Sequence, residues 1–192
     1  PDYFKALYDK TQERINAATL ADLFVIAQNL SPAKAWTTEI AELLTANLQR
    51  QYVHSKLVPQ LLLVKEQSEL TDKLLHSCRQ YLQQLASNEP QPPANWSRSL
   101  PDTADNKKEW KLLKIFLESP DERIFDYRKN QNERSALEWA IKRVVIDLKT
   151  ETIRKGSPHT LRITKTLDDY QRQMKDWKAD VALLEKVKEK GR

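Results

Sequence analysis

The sequence predicts a mainly α-helical protein with a small α+β module in its C-terminal half. Three observations support this fold class. Apolar positions recur at helical spacing through residues 1–87. Residues 88–106 then contain four of the nine prolines, which interrupt regular structure. Beyond them, short stretches rich in strand-forming residues flank a Lys-Gly-Ser-Pro turn. We therefore expect a helical bundle followed by a three-stranded antiparallel sheet with packed helices.

The first segment, residues 1–87, is predicted to form three to five helices packed as a bundle or a short solenoid. Its apolar stripes occupy three stretches, residues 7–30, 36–48 and 62–85. Ser31 is expected to cap the second helix, with Pro32 in its first turn. Stripes of this kind usually face a protein core.

The second segment, residues 88–106, is predicted to be a Pro-rich linker or an ordered crossing loop. Its prolines lack the amide donor and restrict the residues before them. Trp96 lies within this segment. We expect the indole to pin the chain onto a neighbouring surface, because a tryptophan contributes a large apolar area.

The third segment, residues 107–192, is predicted to be an α+β module with a basic hairpin and a long C-terminal helix. The predicted elements are a helix at 107–118, strands at 123–128, 148–154 and 159–165, a helix capped by Asn132, and a last helix that begins at Thr166 and Asp169 in a capping box. Gly156 supplies a positive φ in the turn before the third strand, and Pro158 sets the exit direction of the turn. Two strands joined by so short a turn are expected to be antiparallel neighbours.

The last helix carries an apolar stripe with the spacing of a coiled-coil seam. The stripe consists of Leu167, Tyr170, Met174, Trp177, Val181 and Leu184. Lys188 occupies the next position and ends the stripe. The stripe either packs on the sheet or the helical bundle, or it belongs to a protruding helix that binds a partner or a second copy.

Charge is distributed unevenly along the chain. Residues 1–89 have a net charge of −1, whereas residues 90–192 have a net charge of +6. A basic half of this kind points to an anionic partner. The candidate contact residues are Arg154, Lys155, His159, Arg162, Lys165 and Trp139. Strand alternation divides them, because Lys165 shares a face with Leu161 and Ile163 and Arg162 does not. An ordinary hairpin with solvated charges is the other interpretation.

Composition excludes several classes of site. Two glycines are too few for a glycine-rich phosphate loop or a dinucleotide fingerprint. One cysteine and three scattered histidines provide no metal-binding motif, so we expect no metal and no cofactor. No catalytic constellation is recognisable, and we expect no enzymatic activity. If the chain were an enzyme, Tyr127, His159 and Lys165 would be the candidate residues.

One stretch resembles a known family. The sequence RKGSPHTLRITKT at residues 154–166, together with FLESP at 116–120, is similar to the C-terminal conserved segment of large 2-oxoglutarate/iron(II)-dependent oxygenases of the prolyl-hydroxylase type. The similarity covers about residues 115–175. The Cys-rich element that precedes this segment in those proteins is replaced here by residues 105–110, and the oxygenase domain is absent. The resemblance implies an appended C-terminal module and transfers no enzymatic function.

The sequence therefore favours a non-catalytic interaction or scaffold module of a larger protein or complex. A protein partner is expected to contact the basic hairpin and the C-terminal helix. An RNA- or DNA-binding domain that uses the same cations is the alternative. No membrane contact and no small-molecule substrate are expected, and the oligomeric state stays open. The lone Cys78 fits a reducing compartment, which predicts a cytoplasmic location, or a nuclear one in a eukaryote.

Overall fold

The computed structural model describes residues 34–46, 48–65, 68–101 and 108–190. The predictions for residues 1–33, including the Ser31 cap, lie outside this part of the chain. Contacts divide the chain into two units. The first unit consists of the residues up to Glu89 and those from Asp176 onward, and the second unit is Pro90–Lys175.

Helices and strands follow each other in the predicted order. In the described part of the chain they are α1 (Lys34–Thr45), α2 (Arg50–Tyr52), a π-helical turn (Val53–Leu57), α3 (Val58–Leu63), α4 (Glu69–Ala86), α5 (Lys108–Glu118), β1 (Ile124–Arg128), α6 (Gln131–Lys142), β2 (Leu148–Ile153), β3 (Thr160–Lys165) and α7 (Asp168–Lys190). The fold class predicted from the sequence is confirmed, and the three strands lie within one residue of their predicted bounds.

The first unit is built around leucine-rich helix faces. Its buried core is formed mainly by residues of α1, α3, α4 and the π-helical turn. The predicted stripe at residues 62–85 is divided at Ser68, because this residue and Thr71 form a capping box that begins α4. Pro59 is the second residue of α3, which follows the π-helical turn directly. Its ring would clash with the carbonyl of Ser55 in a regular helix, and the wider turn accommodates it.

The second half of α7 belongs to the first unit. Leu184 and Val187 are buried in the core of that unit, and the indole Nε1 of Trp177 donates to the carbonyl of Ala86 at 3.0 Å. The sequence-based division assigned all of residues 107–192 to the α+β module. The structure differs at this point because the apolar face of α7 beyond Asp176 packs with α4 residues of the first unit.

The buried stripe of α7 also differs from the predicted one. Asp180, Leu184 and Val187 are its buried residues, whereas Val181 is only half-buried. Asp180 accepts hydrogen bonds from Arg50 Nε at 2.8 Å and from His54 Nε2 at 2.5 Å. The prediction considered only apolar residues and therefore omitted the buried aspartate. For this reason it placed the buried stripe on a slightly different face of the helix.

The Pro-rich segment is an ordered crossing loop in residues 90–101, within the second unit. The amide of Trp96 donates to the carbonyl of Pro120 at 2.9 Å, and the amide of Arg98 donates to the carbonyl of Leu117 at 2.7 Å. The guanidinium of Arg123 lies 4.6 Å from the centre of the Trp96 ring. The indole therefore pins the segment beside the end of α5, as the sequence predicts.

The sheet has the order β1-β3-β2, with both neighbours antiparallel to β3. Its inner face contributes Leu161 and Ile163 to a core that also contains apolar residues of α5 and α6. On the outer face, the central row consists of Asp126, Arg162 and Glu151, which are direct cross-strand partners. The outer face is therefore the polar face of the sheet.

Two helix starts differ from their predicted caps. The side chain of Asn130, two residues before the predicted Asn132, accepts from the amide of Glu133 at 3.0 Å and begins α6. At α7, the Oγ1 of Thr166 is buried and has no hydrogen-bond partner among the described residues. The carboxylate of Asp147 accepts from the amide of Asp169 at 2.9 Å instead. A side chain distant in sequence thus replaces the predicted capping box.

Candidate functional site

Strand register brings several exposed cations of the second unit together at one end of the sheet. Arg128 at the end of β1 and Ile153 at the end of β2 both pair with Thr160 at the start of β3. The residues that continue from these three positions form what we call the basic end: Arg128, Lys129, Arg154, Lys155 and His159. This end spans three neighbouring strands, which are separated by two inter-strand spacings, and it is therefore about 10 Å wide.

Arg128 holds the loop between β2 and β3 in place. Its Nε donates to the carbonyl of Pro158 at 3.2 Å, and its Nη2 donates to the carbonyl of Ser157 at 3.4 Å. Gly156 has a φ of 81°. A Cβ at this position would also lie 3.3 Å from Nη2 of Arg128, so the close approach favours glycine as well.

His159 adds a second restraint inside the same loop. Its Nδ1 lies 2.9 Å from the carbonyl oxygen of Gly156. Because a carbonyl oxygen only accepts, Nδ1 carries a proton in this arrangement. The imidazole is therefore used to shape the loop, and it remains half-buried.

The connection between β1 and α6 is also fixed from within the fold. The buried Arg134 donates from Nε to the carbonyl of Lys129 at 3.1 Å. Asn130 caps α6 through its side-chain oxygen and donates from Nδ2 to Glu133. These bonds place Lys129 at the end of the sheet, next to the loop that carries Arg154.

Arg154 and Lys155 are two available cations of the basic end. Both are exposed, and neither forms a hydrogen bond or an ion pair with another described residue. The sequence predicted both of them as contact residues, and the structure brings them together with His159. Arg128 and Lys129 were missed. The sequence does contain an Arg-Lys pair at the end of the first strand. Only the strand register, however, shows that this pair lies at the same end of the sheet as the turn between β2 and β3.

Arg162 does not join the basic end. Its Nε and Nη2 donate to the two carboxylate oxygens of Asp126 at 2.8 and 2.7 Å. The hydrogen bond from Arg162 lowers the pKa of Asp126, and the same bond raises the pKa of Arg162. Glu151 is its cross-strand partner on the other side. This predicted contact cation is therefore neutralised by its neighbours on the outer face.

Lys165 is a structural residue, which corrects its prediction as a contact residue. Its side chain has no exposed area. The Nζ donates to the carbonyls of Leu117 at 3.2 Å and Ser119 at 2.8 Å, and it lies 4.6 Å from the centre of the Phe116 ring. A cation at the C-terminal end of α5 is favoured by the helix dipole. Burial lowers the pKa of Lys165.

Trp139 is exposed over 62% of its surface, and the guanidinium of Arg143 lies 5.9 Å from its ring centre. Trp139 lies off the apolar face of its helix, since Leu137 and Ile141 are the buried apolar residues of α6. Two other apolar side chains of the second unit are still more exposed, Ile115 at 81% and Val145 at 95%. Apolar side chains that are exposed singly are common on protein surfaces, so these three do not by themselves define a contact patch.

The three candidate enzyme residues do not converge. Lys165 lies six positions along the chain from His159, which corresponds to about 20 Å in an extended strand. Tyr127 pairs with Leu161 and lies on the inner face, and burial raises its pKa, with smaller contributions from Glu133 and Glu109. This arrangement does not form a catalytic group.

Comparisons of the chain with protein-family models, curated proteins and solved structures found no match. The resemblance of residues 115–175 to the oxygenase-associated segment therefore stays an expectation. In the described residues, no helix is both long and apolar enough to cross a membrane.

Proposed function

We propose that this chain is a non-catalytic interaction module that binds an acidic segment of a protein partner through the basic end. The proposal rests on one observation. Strand register gathers Arg128, Lys129, Arg154 and Lys155 at one end of the sheet, and the last two have no described ion-pair partner. Charges gathered in this way attract and orient an oppositely charged partner.

The outer sheet face favours a protein partner over a nucleic acid. RNA-binding sheets stack bases on exposed aromatic rings. Here Phe125 and Tyr127 lie on the inner face, where they pack against the core of the second unit. On the outer face, Arg162 is paired with Asp126.

We propose that α7 stabilises the fold and does not form part of the contact surface. The sequence suggested α7 as part of the contact surface, but Leu184 and Val187 are buried in the first unit.

The proposal also includes a reducing compartment, the cytoplasm or the nucleus. The support for it is the single cysteine, Cys78, which is buried as a free thiol.

Fluorescence anisotropy with a labelled Asp/Glu-rich peptide tests the proposal. The test variant is Arg154→Glu with Lys155→Glu. The control is Lys111→Glu with Lys175→Glu, because these exposed lysines belong to the same unit and produce the same change in net charge. We expect the test variant to lose at least about tenfold in affinity and the control to lose less than about twofold. Equal losses in the two variants would leave only a non-specific charge effect, and the proposal would be abandoned.

Single- and double-stranded RNA and DNA are titrated in parallel at two salt concentrations. Nucleic-acid binding that exceeds peptide binding and weakens steeply with salt would replace the protein partner with a nucleic acid.

A further inference from the structure

The loop of the basic end, residues 154–159, offers more donors than a carboxylate needs. Arg154 presents a planar guanidinium and Lys155 an ammonium group, and both are exposed. The backbone amides of Gly156 and Ser157 donate to no described residue, and the Ser157 hydroxyl also has no described partner. We propose that this loop binds a phosphoryl group carried by the acidic partner segment, an inference that rests on the proposed function.

The number of donors favours a phosphoryl group. A phosphoryl group on a side chain has three acceptor oxygens and a charge of about −1.5 to −2 at neutral pH. The guanidinium of Arg154 matches two of these oxygens in a bidentate pair. The ammonium of Lys155, the two backbone amides and the Ser157 hydroxyl are available to the remaining lone pairs of the three oxygens. A carboxylate has only two oxygens and one charge, and it leaves several of these donors without a partner.

The loop is held in shape before any ligand arrives. Arg128 donates to the carbonyls of Ser157 and Pro158, and His159 bonds to the carbonyl of Gly156. These contacts occupy the carbonyl side of the loop, while the amides of Gly156 and Ser157 stay unoccupied by described residues. Ordering the loop in advance reduces the entropic cost of binding a small anion.

The site suits a compact anion better than a long polyanion. The exposed cations of the basic end occupy a width of about 10 Å. On the outer face, Arg162 is paired with Asp126 and has Glu151 on its other side. Lys165 at the opposite end is buried. A nucleic-acid strand would meet these cations at only a few phosphates and would then cross a charge-balanced surface.

The test compares acidic peptides that differ at one position, which carries phosphoserine, serine or glutamate. Binding is measured by anisotropy to the wild-type chain, to Arg154→Gln with Lys155→Gln, and to the matched control Lys111→Gln with Lys175→Gln. We expect the phosphoserine peptide to bind about tenfold tighter than the serine peptide and several-fold tighter than the glutamate peptide. The neutralised loop is expected to erase this preference, and the control to keep it. Ser157→Ala is expected to weaken only the phosphoserine peptide, by about two- to fivefold.

Amide chemical shifts locate the ligand independently. The amides of Gly156 and Ser157 are expected to shift more with the phosphoserine peptide, and with inorganic phosphate at constant ionic strength, than with the serine peptide.

The remaining outcomes separate the two proposals. Equal affinities for the three peptides, all lost in the loop variant, would overturn the phosphoryl inference and leave the proposed function standing. No binding of any peptide would overturn both. For single-stranded RNA, a slope of log affinity against log salt steeper than about −3 would require more phosphate contacts than the four cations supply. This result would overturn both proposals in favour of a nucleic-acid-binding surface.

Discussion

Replacing Lys165 by methionine removes the buried ammonium group and keeps most of the side-chain volume. The Nζ donates to two carbonyls at the end of α5, at 3.2 and 2.8 Å, and lies over the Phe116 ring. In the methionine variant, the carbonyls of Leu117 and Ser119 lose this donor inside the fold. The variant therefore separates the structural role of Lys165 from its predicted role in partner contact.

The expected magnitude follows from opposing contributions. Two hydrogen bonds from a charged donor contribute about 1.5–3 kcal/mol each, and the ring contact adds about 0.5–1 kcal/mol. The desolvation of the ammonium, which lowers the pKa of Lys165, offsets several kcal/mol of this gain. We therefore expect Lys165→Met to lower the free energy of unfolding by about 2 kcal/mol. Lys165→Ala also removes buried methylene groups at about 0.8 kcal/mol each, which gives a loss of about 4–5 kcal/mol.

Urea denaturation followed by tryptophan fluorescence measures both variants, and Trp110 in the core of the second unit is a suitable reporter. Lys155→Met is the control, because the exposed Lys155 has no described hydrogen bond or ion pair, and it is expected to change stability by less than about 0.5 kcal/mol. Lys165→Met is expected to leave peptide binding unchanged under conditions where the protein is folded. A methionine variant as stable as the wild type would refute the assignment of Lys165 as a cap of α5.

Three further predictions concern other buried or restraining groups. Asp180→Asn is expected to destabilise the first unit by about 2–4 kcal/mol in thermal unfolding, because it leaves Arg50 without its buried carboxylate, whereas Asp176→Asn, at a half-exposed pair, is expected to cost less than about 1 kcal/mol. Burial raises the pKa of Cys78 from 9.0 to about 12. The unfolded chain therefore releases this proton first, and stability is expected to fall by about 1.4 kcal/mol per pH unit above pH 9, a slope that Cys78→Ala removes in urea titrations at pH 8, 9 and 10. Arg128→Ala is expected to weaken peptide binding about five- to tenfold while unfolding free energy changes by less than about 1 kcal/mol, and unchanged binding would show that the loop needs no restraint.

Local patterns in the sequence were sufficient to predict the elements of the second unit. Alternation at residues 148–154 and the turn at Gly156 depend on residues close together in the chain, and the strands lie where these patterns place them. The Trp96 pin was also predictable, because a tryptophan among prolines has few other roles. The two helix caps were harder to predict from the sequence. A cap at Asp169 that comes from Asp147 links positions 22 residues apart and leaves no local pattern.

The candidate site was predictable only in part, because the sequence does not show whether a charged residue is paired, buried or exposed. Arg154 and Lys155 were found from the basic turn. Arg128 and Lys129 belong to the same end of the sheet only because β1 pairs with β3 in its observed register. A shift of that register by one residue would move Arg128 to the other face of the sheet.

The sequence by itself determined the kinds of element and their order, since helical and strand periodicities arise from the local geometry of the backbone. Tertiary structure alone decided which cations remain available to a partner. Arg162 meets Asp126 across 36 positions, Lys165 meets Leu117 across 48, and Arg50 meets Asp180 across 130. The physical reason is that the pairing and burial of a charge depend on the groups that folding brings within hydrogen-bond distance. Neighbours in the chain do not encode those distances.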